Sequence, residues 1–289
     1  GDDRAAFRLL LACPTGLSAS EVSVVFDAAY DRIPHPDGTL EDSVSEVWDR
    51  RLKKNPTLFN GMKFRYCGCS LIRGAEFHQK TNVCLHLGLT DYRTFVGTNL
   101  NPLWEKFLVP STDDRRRCQH TSNPLGNGAI VETSDHRIVL LRRSNNVGEF
   151  PGHYVFPGGH PEPQEISITG HQTADGDQAR QLLNDAVSRE MFGSIAREVV
   201  EEIGVPPAEL SEAVFMGISE RALNVRPTAF FFMKCSLESE GIQRVYRTAQ
   251  DGYESTQLFT MSVGDVEDVV HEMPGCHQGG FALYKLLMN

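Results

Sequence analysis

Apolar residues recur at two different periods along this chain, and the periods predict where its helices and strands lie. Helical spacing predicts helices at residues 40–54, 104–108, 178–203, 263–271 and 281–288. Alternating or short continuous apolar runs predict strands at residues 63–72, 83–89, 128–132, 137–141, 214–218, 228–235 and 257–261. Strands interleaved with helices are typical of a mixed sheet flanked by helices, so we expect an α/β fold.

The longest helical pattern covers residues 178–203 and ends at Gly204. Its apolar positions step by four and therefore form one face; they are Val187, Met191, Ile195, Val199 and Ile203. Gly204 supplies the stop, because glycine adopts the left-handed conformation that ends many helices.

Three glutamates near the end of this helix share one face. Glu198 and Glu202 are separated by about 40° around a helix axis, and Glu201 lies about 60° to the other side of Glu198. Like charges at these spacings destabilise a helix by a few tenths of a kcal/mol per pair. Mg²⁺ and Mn²⁺ prefer such hard oxygen ligands. The face is therefore either an exposed acidic surface or a metal site, and Arg197 is spaced to orient Glu201.

A glycine turn upstream favours the metal site. Residues 156–165 read FPGGHPEPQE, and a Gly-Gly turn lets the backbone approach a metal or phosphate closely. Gly159, then Glu165, then Arg197 to Val205 together resemble the signature of the Nudix hydrolases: Gly, five residues, Glu, seven residues, Arg-Glu-U-x-Glu-Glu-x-Gly-U, where U is apolar. Residues 166–196 separate the two halves in place of seven residues, so 24 residues are inserted. Because the apolar stripe continues into the signature, we expect a lengthened helix behind a surface loop.

A split signature of this kind resembles the animal Nudix enzymes that hydrolyse UDP-glucose and UDP-galactose. The likeness covers nearly the whole chain, including segments 58–65, 88–99, 123–126, 141–144 and 254–256. It implies a Nudix α/β/α sandwich with a mixed sheet, together with a smaller N-terminal α/β domain. We place the N-terminal substrate-recognition domain at 1–122 and the Nudix domain at 123–289, with the insertion at about 166–190.

The resemblance also implies roles for individual residues. The signature residues are Gly159, Glu165, Arg197 and Gly204, and the catalytic residues are Glu198, Glu201 and Glu202, of which Glu198 and Glu202 hold the metal. The residue that accepts a proton from water is Glu198, Glu201 or Glu254. Those in contact with substrate are Phe59, Tyr92, Arg143, Gly148, His160, Glu162 and Cys276. Without the resemblance, Phe59 is predicted to be a core residue and Tyr92 a packing residue.

Two positions depart from that branch, since Val155 and Cys276 stand where it carries an aspartate and a serine. The expected reaction is Mg²⁺-dependent hydrolysis of a UDP-sugar to UMP and sugar 1-phosphate, with Mn²⁺ as a substitute. The alternatives are another Nudix substrate, such as ADP-ribose, a dinucleotide or a coenzyme A derivative, and a non-catalytic nucleotide-binding module.

The net charge restricts the class of binding partner, and the cysteine pattern indicates the cellular compartment. The formal charge of −10 repels phosphate backbones, so we expect a small-molecule nucleotide sugar as the partner and no nucleic acid. No apolar run reaches the length of about 18 residues that a membrane span requires. Seven scattered cysteines without a CxxC pair indicate reduced thiols. We therefore expect an intracellular, cytoplasmic protein, with the nucleus as the alternative; the oligomeric state stays unknown.

Overall fold

The structure is a computed structural model that describes residues 5–73, 82–143, 152–172, 175–249 and 256–289. Its strands are Phe7–Leu17 (β1), Val22–Phe26 (β2), Met62–Ile72 (β3), Asn82–Asp91 (β4), Gly126–Glu132 (β5), Ile138–Arg143 (β6), Tyr154–Val155 (β7), Gly158–Gly159 (β8), Val214–Arg221 (β9), Pro227–Lys234 (β10) and Thr256–Met261 (β11). Its α-helices are Gly38–Lys54 (α1), Tyr92–Gly97 (α2), Asp114–Arg117 (α3), Asp177–Ile203 (α4), Ser239–Ala249 (α5), Val263–Val269 (α6) and Gly275–Met288 (α7). None of the helices in these ranges is long and apolar enough to cross a membrane.

The strands form a large mixed sheet and a small one. The large sheet has the order β1-β9-β10-β5-β6-β11, with β7 paired to β6 and β8 paired to β5. Strands β5 and β10 are parallel, and β9 pairs antiparallel with both β1 and β10. The small sheet has the order β2-β4-β3. Because β1 precedes residue 122 but pairs with β9, this strand belongs to the large sheet; the division at residue 122 stays a prediction.

Period-two burial in β5 explains why helices cover both faces of the large sheet. Ala129 and Val131 face a core that includes the apolar stripe of α4. Ile130, between them, faces a second core that includes Phe281 of α7. Alternate side chains of a strand point to opposite faces, so two separate cores are required. This confirms the expected α/β/α sandwich.

Most predicted elements are confirmed, and the differences have local causes. The predicted helix at 104–108 is a 3₁₀ helix, Trp104–Phe107, in which Leu108 donates to the carbonyl of Glu105. Such short turns follow when flanking prolines, here Pro102 and Pro110, leave no room for an α-helix. The sequence patterns missed β1, β2, α2, α3 and α5 and the two-residue strands β7 and β8.

The insertion lengthens α4 as expected, and the added turns dock on the small sheet. Asn184 accepts a hydrogen bond from the backbone N–H of Phe26 at 2.9 Å, and Ser188 donates to the carbonyl of Val22 at 2.9 Å. In the loop before the helix, His171 lies 2.9 Å from Asp31. The insertion therefore packs against β2 and the residues after it.

Candidate active site

The C-terminal part of α4 presents its glutamates beside the glycine turn at β8. A Cβ on Gly159 would lie 2.5 Å from Cδ and Oε1 of Glu198, so only glycine allows the carboxylate this close to the backbone. The helix ends at Gly204, whose φ of 78° is left-handed and whose N–H donates to Val200 at 2.9 Å. The helix end is therefore the one that the sequence predicted.

The charged form of Glu198 is disfavoured by its surroundings on the helix. Burial raises the pKa of Glu198, and the negative charge of Glu201 raises it further, whereas the backbone N–H of His160, which bonds the carboxylate, lowers it. Glu202 is half-buried and Glu201 is exposed. A cation beside these carboxylates would relieve their repulsion.

Three hydrogen bonds hold the glycine turn against α4. The N–H of Gly159 donates to Oδ1 of Asn127 at 2.8 Å, and Nδ2 of Asn127 donates to Ser194 at 3.0 Å. Ser194 in turn donates to the carbonyl of His160 at 3.1 Å. Asn127 and Ser194 are buried, so their side chains are fixed and the turn keeps its distance from Glu198.

Arg197 does not orient Glu201 as its spacing suggested. Its guanidinium pairs instead with Glu190, which is buried and lies two helical turns before Arg197. The hydrogen bond and charge of Glu190 raise the pKa of Arg197, with smaller contributions from Glu165 and Glu198. Arg197 therefore links the added part of α4 to the signature, and Glu165 is exposed near it.

A cleft of about 580 Å³ lies over this helix end. Its acidic side carries Glu201 and Glu202, and its basic side carries Lys63 and Arg226. The remaining lining residues are Tyr92, Phe95, Pro124, Gly126, Asn127, Leu141, Val155, Phe156, Gly158, Gly159, His160, Thr228, Thr256, Cys276 and His277. The lining therefore includes residues from before and from after the predicted domain boundary at residue 122.

The basic side is built around His160. Arg226 donates from Nη2 to Nε2 of His160, which places the ring proton on Nδ1, and its guanidinium lies 5.0 Å from the ring of Phe95. Burial lowers the pKa of His160 well below its usual value, and the charges of Arg226 and Lys63 lower it further. The imidazole is therefore neutral. Lys63 also pairs with Glu162, with 2.6 Å between Nζ and Oε1.

The predicted substrate residues are only partly brought together. Tyr92, His160 and Cys276 line the cleft, as does Val155. Phe59 is 74% exposed, so it is not a core residue, and it lies outside the cleft lining. Tyr92 packs edge-on against Trp48, which agrees with its packing interpretation as well as with a binding one. The side chain of Arg143 and the whole of Gly148 and Glu254 lie outside the described residues.

Sequence reasoning missed Asn127, Arg226 and His277. Nδ1 of His277 accepts a hydrogen bond from the backbone N–H of Phe156 at 3.0 Å, and the imidazole stacks on the ring of Phe156. These contacts fix the residue that leads into the glycine turn. One available signal was Asn127, a polar residue between two glycines at the start of strand β5. Arg226 and His277 had no local signal.

The donor set suits a hard divalent cation. Glu198 and Glu202 offer carboxylate oxygens from one helix face, and Glu201 adds a third nearby. Across the ranges that the structure describes, no group of three or more His, Cys, Asp or Glu side chains is arranged to hold a metal ion. Mg²⁺ is commonly bound by one or two carboxylates together with substrate phosphates and water. The pair Glu198 and Glu202 fits that pattern.

A glutamate helix, a glycine turn and a basic cleft wall lie together on the α/β/α sandwich, an arrangement typical of an enzyme site for a small molecule. No protein-family model matches the chain. "Nudix hydrolase 9" of Arabidopsis thaliana is 59% identical over 284 residues, which cover 98% of this chain and 91% of that protein. "Uridine diphosphate glucose pyrophosphatase NUDT22" of Homo sapiens is 34% identical over 268 residues, or 90% of this chain and 84% of that protein.

The chain therefore belongs to the Nudix hydrolases, a family that acts on small molecules and generally uses divalent metal ions. The solved MutT protein from Methanosarcina mazei Go1 matches 56% of this chain and 91% of its own at 17% identity, with a TM-score of 0.33. The family assignment rests on the two sequence relatives rather than on this likeness.

Proposed function

We propose that this Nudix hydrolase cleaves the diphosphate of a UDP-sugar, UDP-glucose or UDP-galactose, to UMP and sugar 1-phosphate. The observation that carries the proposal is the contact between Glu198 and Gly159 at the edge of a cleft with acidic and basic sides. The name of the human relative, a uridine diphosphate glucose pyrophosphatase, supports the choice of a UDP-sugar.

In the proposed reaction, Glu198 and Glu202 hold Mg²⁺, for which Mn²⁺ can substitute. A divalent ion held there would neutralise diphosphate oxygens and lower the pKa of a bound water. Glu198, Glu201 or Glu254 accepts the proton of the attacking water. Asn127 and Ser194 keep the glycine turn in place, and Tyr92 and Cys276 contact the substrate from the cleft wall.

A product panel tests the substrate. The protein is incubated with Mg²⁺ and, separately, UDP-glucose, UDP-galactose, ADP-ribose, coenzyme A and a dinucleoside polyphosphate, and products are separated by anion-exchange chromatography. UMP and sugar 1-phosphate from the UDP-sugars are expected. Cleavage of another compound alone would replace the proposed substrate, and tight binding without cleavage would indicate a non-catalytic module.

A variant tests the metal ligands. Glu202→Gln should lose Mg²⁺-dependent turnover while its melting temperature stays that of the wild type, because the amide keeps the shape and removes the charge. Glu267→Gln is the matched control, since Glu267 is an exposed helical glutamate on α6. Turnover retained in Glu202→Gln would contradict the assignment.

A further inference from the structure

The hairpin turn between β9 and β10 has an unusual backbone. Arg221 donates its N–H to the carbonyl of Arg226 at 2.9 Å and so closes the turn. Within it, Asn224 has φ 69° and Val225 has φ 51°. A positive φ is rare for a β-branched residue and is strained. The surrounding structure must therefore hold this turn.

A network of buried amides holds it. Nδ2 of Asn99 donates to the carbonyl of Asn224 at 2.8 Å, and Nδ2 of Asn224 donates to the carbonyl of Asn99 at 2.5 Å. Asn123 accepts from Nδ2 of Asn99 at 3.0 Å and donates its N–H to Oδ1 of Asn99 at 3.2 Å. Asn99, Asn123 and Val225 are buried. Asn99 thus holds the strained turn directly, and Asn123 fixes Asn99.

The strained turn ends at Arg226, whose guanidinium reaches the cleft. The guanidinium is held by contacts that include the ring of Phe95 at 5.0 Å and the imidazole nitrogen of His160. Nη2 lies 3.7 Å from where a Cβ on Gly126 would stand, so the missing side chain there leaves space beside the guanidinium. Lys63 brings a second cation to the same side of the cleft.

We propose that Arg226 binds the diphosphate of the substrate, and that the strained turn directs its guanidinium to the basic side of the cleft. The proposal rests on the proposed function only in requiring a diphosphate there, and it holds for any nucleoside. A guanidinium offers parallel N–H donors that match two phosphate oxygens, which the ammonium of lysine does not. His160 acts as a positioning residue, because its ring nitrogen accepts an N–H of Arg226 and so fixes the guanidinium beside the cleft.

The experiment compares three variants of the whole chain. Arg226→Gln removes the charge, and Arg226→Lys keeps the charge but removes the paired donors. Arg244→Gln is the control, because Arg244 is an exposed arginine of α5 outside the cleft lining. Isothermal titration measures the affinity for UDP and for ADP in EDTA and, separately, for Mn²⁺. Kinetics with Mg²⁺ give kcat and KM on whichever diphosphate the panel identifies.

Arg226→Gln is expected to weaken UDP and ADP binding by at least about tenfold, the effect of one charge-assisted hydrogen-bonded contact. KM should rise and kcat should fall, while Mn²⁺ affinity stays within about twofold of the wild type. Arg226→Lys should recover part of the nucleotide affinity and little of kcat. Because lysine also retains a cation over Phe95, this variant keeps the test valid if Arg226→Gln folds poorly.

Unchanged nucleotide affinity and KM in Arg226→Gln would overturn the proposal. A wild-type protein that binds neither UDP nor ADP in EDTA would overturn it too, as would an equal loss of affinity in Arg244→Gln. A panel without UDP-sugar cleavage would instead refute the proposed substrate, and the UDP and ADP affinities of the variants would still decide the role of Arg226.

Discussion

Substitution of Gly159 by alanine tests whether the glycine turn and Glu198 form one functional unit. The added Cβ would stand 2.5 Å from Cδ and Oε1 of Glu198 and 2.7 Å from Oε2. Ordinary contact begins at 3.4 Å, so the carboxylate must retreat by about 0.9 Å. Because the displaced atoms are the end of a flexible side chain and Gly159 has no positive φ, the fold should tolerate the change.

A displacement near 1 Å in a catalytic group costs about 10²-fold in rate. We therefore expect kcat/KM of Gly159→Ala to fall about 10²-fold, which corresponds to about 2.7 kcal/mol of transition-state stabilisation. Affinity for Mn²⁺ should fall in parallel, whereas the melting temperature should stay within about 3 °C of the wild type. Steady-state kinetics, metal titration and thermal unfolding measure the three quantities.

Two other glycines provide controls. Gly170, in the insertion, has open space where a Cβ would go, so Gly170→Ala should change neither activity nor stability. At Gly158 a Cβ would lie 2.2 Å from the carbonyl oxygen of Asn127, and this backbone cannot swing aside. Gly158→Ala should therefore lose about 1–3 kcal/mol of stability. The reasoning is refuted if Gly159→Ala keeps kcat/KM within about threefold of the wild type.

Three further predictions concern residues outside the cleft. Arg65→Met should lower the free energy of unfolding, measured in urea, by about 2–4 kcal/mol, because the buried guanidinium donates hydrogen bonds to backbone carbonyls. The control Arg116→Met, at an exposed arginine, should leave this free energy unchanged. Asp135→Ala should cost about 1 kcal/mol, since Asp135 accepts the N–H of Ser239 at the start of α5. Hydrogen bonds from Ser239 lower the pKa of Asp135 to about 2 from 3.8. The wild type should therefore exceed Asp135→Ala in free energy of unfolding by the full amount above pH 3.8, and this difference should shrink as the pH falls toward 2. Burial raises the pKa of Cys118 to about 12, so iodoacetamide at pH 8 should leave it unmodified by peptide mass spectrometry, and alkylation as fast as in urea would contradict this.

The sequence predicted the elements and residues whose signals are local. The stripe from Val187 to Ile203 and the stop at Gly204 depend only on near neighbours along the chain, and both are confirmed. Strand β1 was missed because its identity comes from pairing with β9, about 200 residues later. Arg197 was assigned the wrong partner because helical spacing alone did not distinguish exposed Glu201 from buried Glu190.

Arg226 was missed for a different physical reason. A lone arginine after a turn has no pattern, and its place in the cleft depends on Asn99 and Asn123, which approach only in the folded chain. Both asparagines stood in segments that the family resemblance marked without assigning them a role. Their buried amide contacts supply that role, since a polar network in a core is stable only when its members are paired.

The insertion can also be explained from these contacts. An α-helix rises about 1.5 Å per residue, so residues 177 to 190 add about 20 Å of rigid rod before the signature. That rod carries Asn184 and Ser188, which bond the backbone of β2, and β2 pairs with β4 beside β3. Strand β3 supplies Lys63 to the cleft, and α2 follows directly from β4 and supplies Phe95. The C-terminal end of α4 thus carries the glutamates, and its N-terminal end fixes the small sheet, next to which Lys63 and Phe95 enter the cleft. The 24 extra residues form part of this docked helix and the loop before it, and they therefore do not separate Gly159 from Glu198.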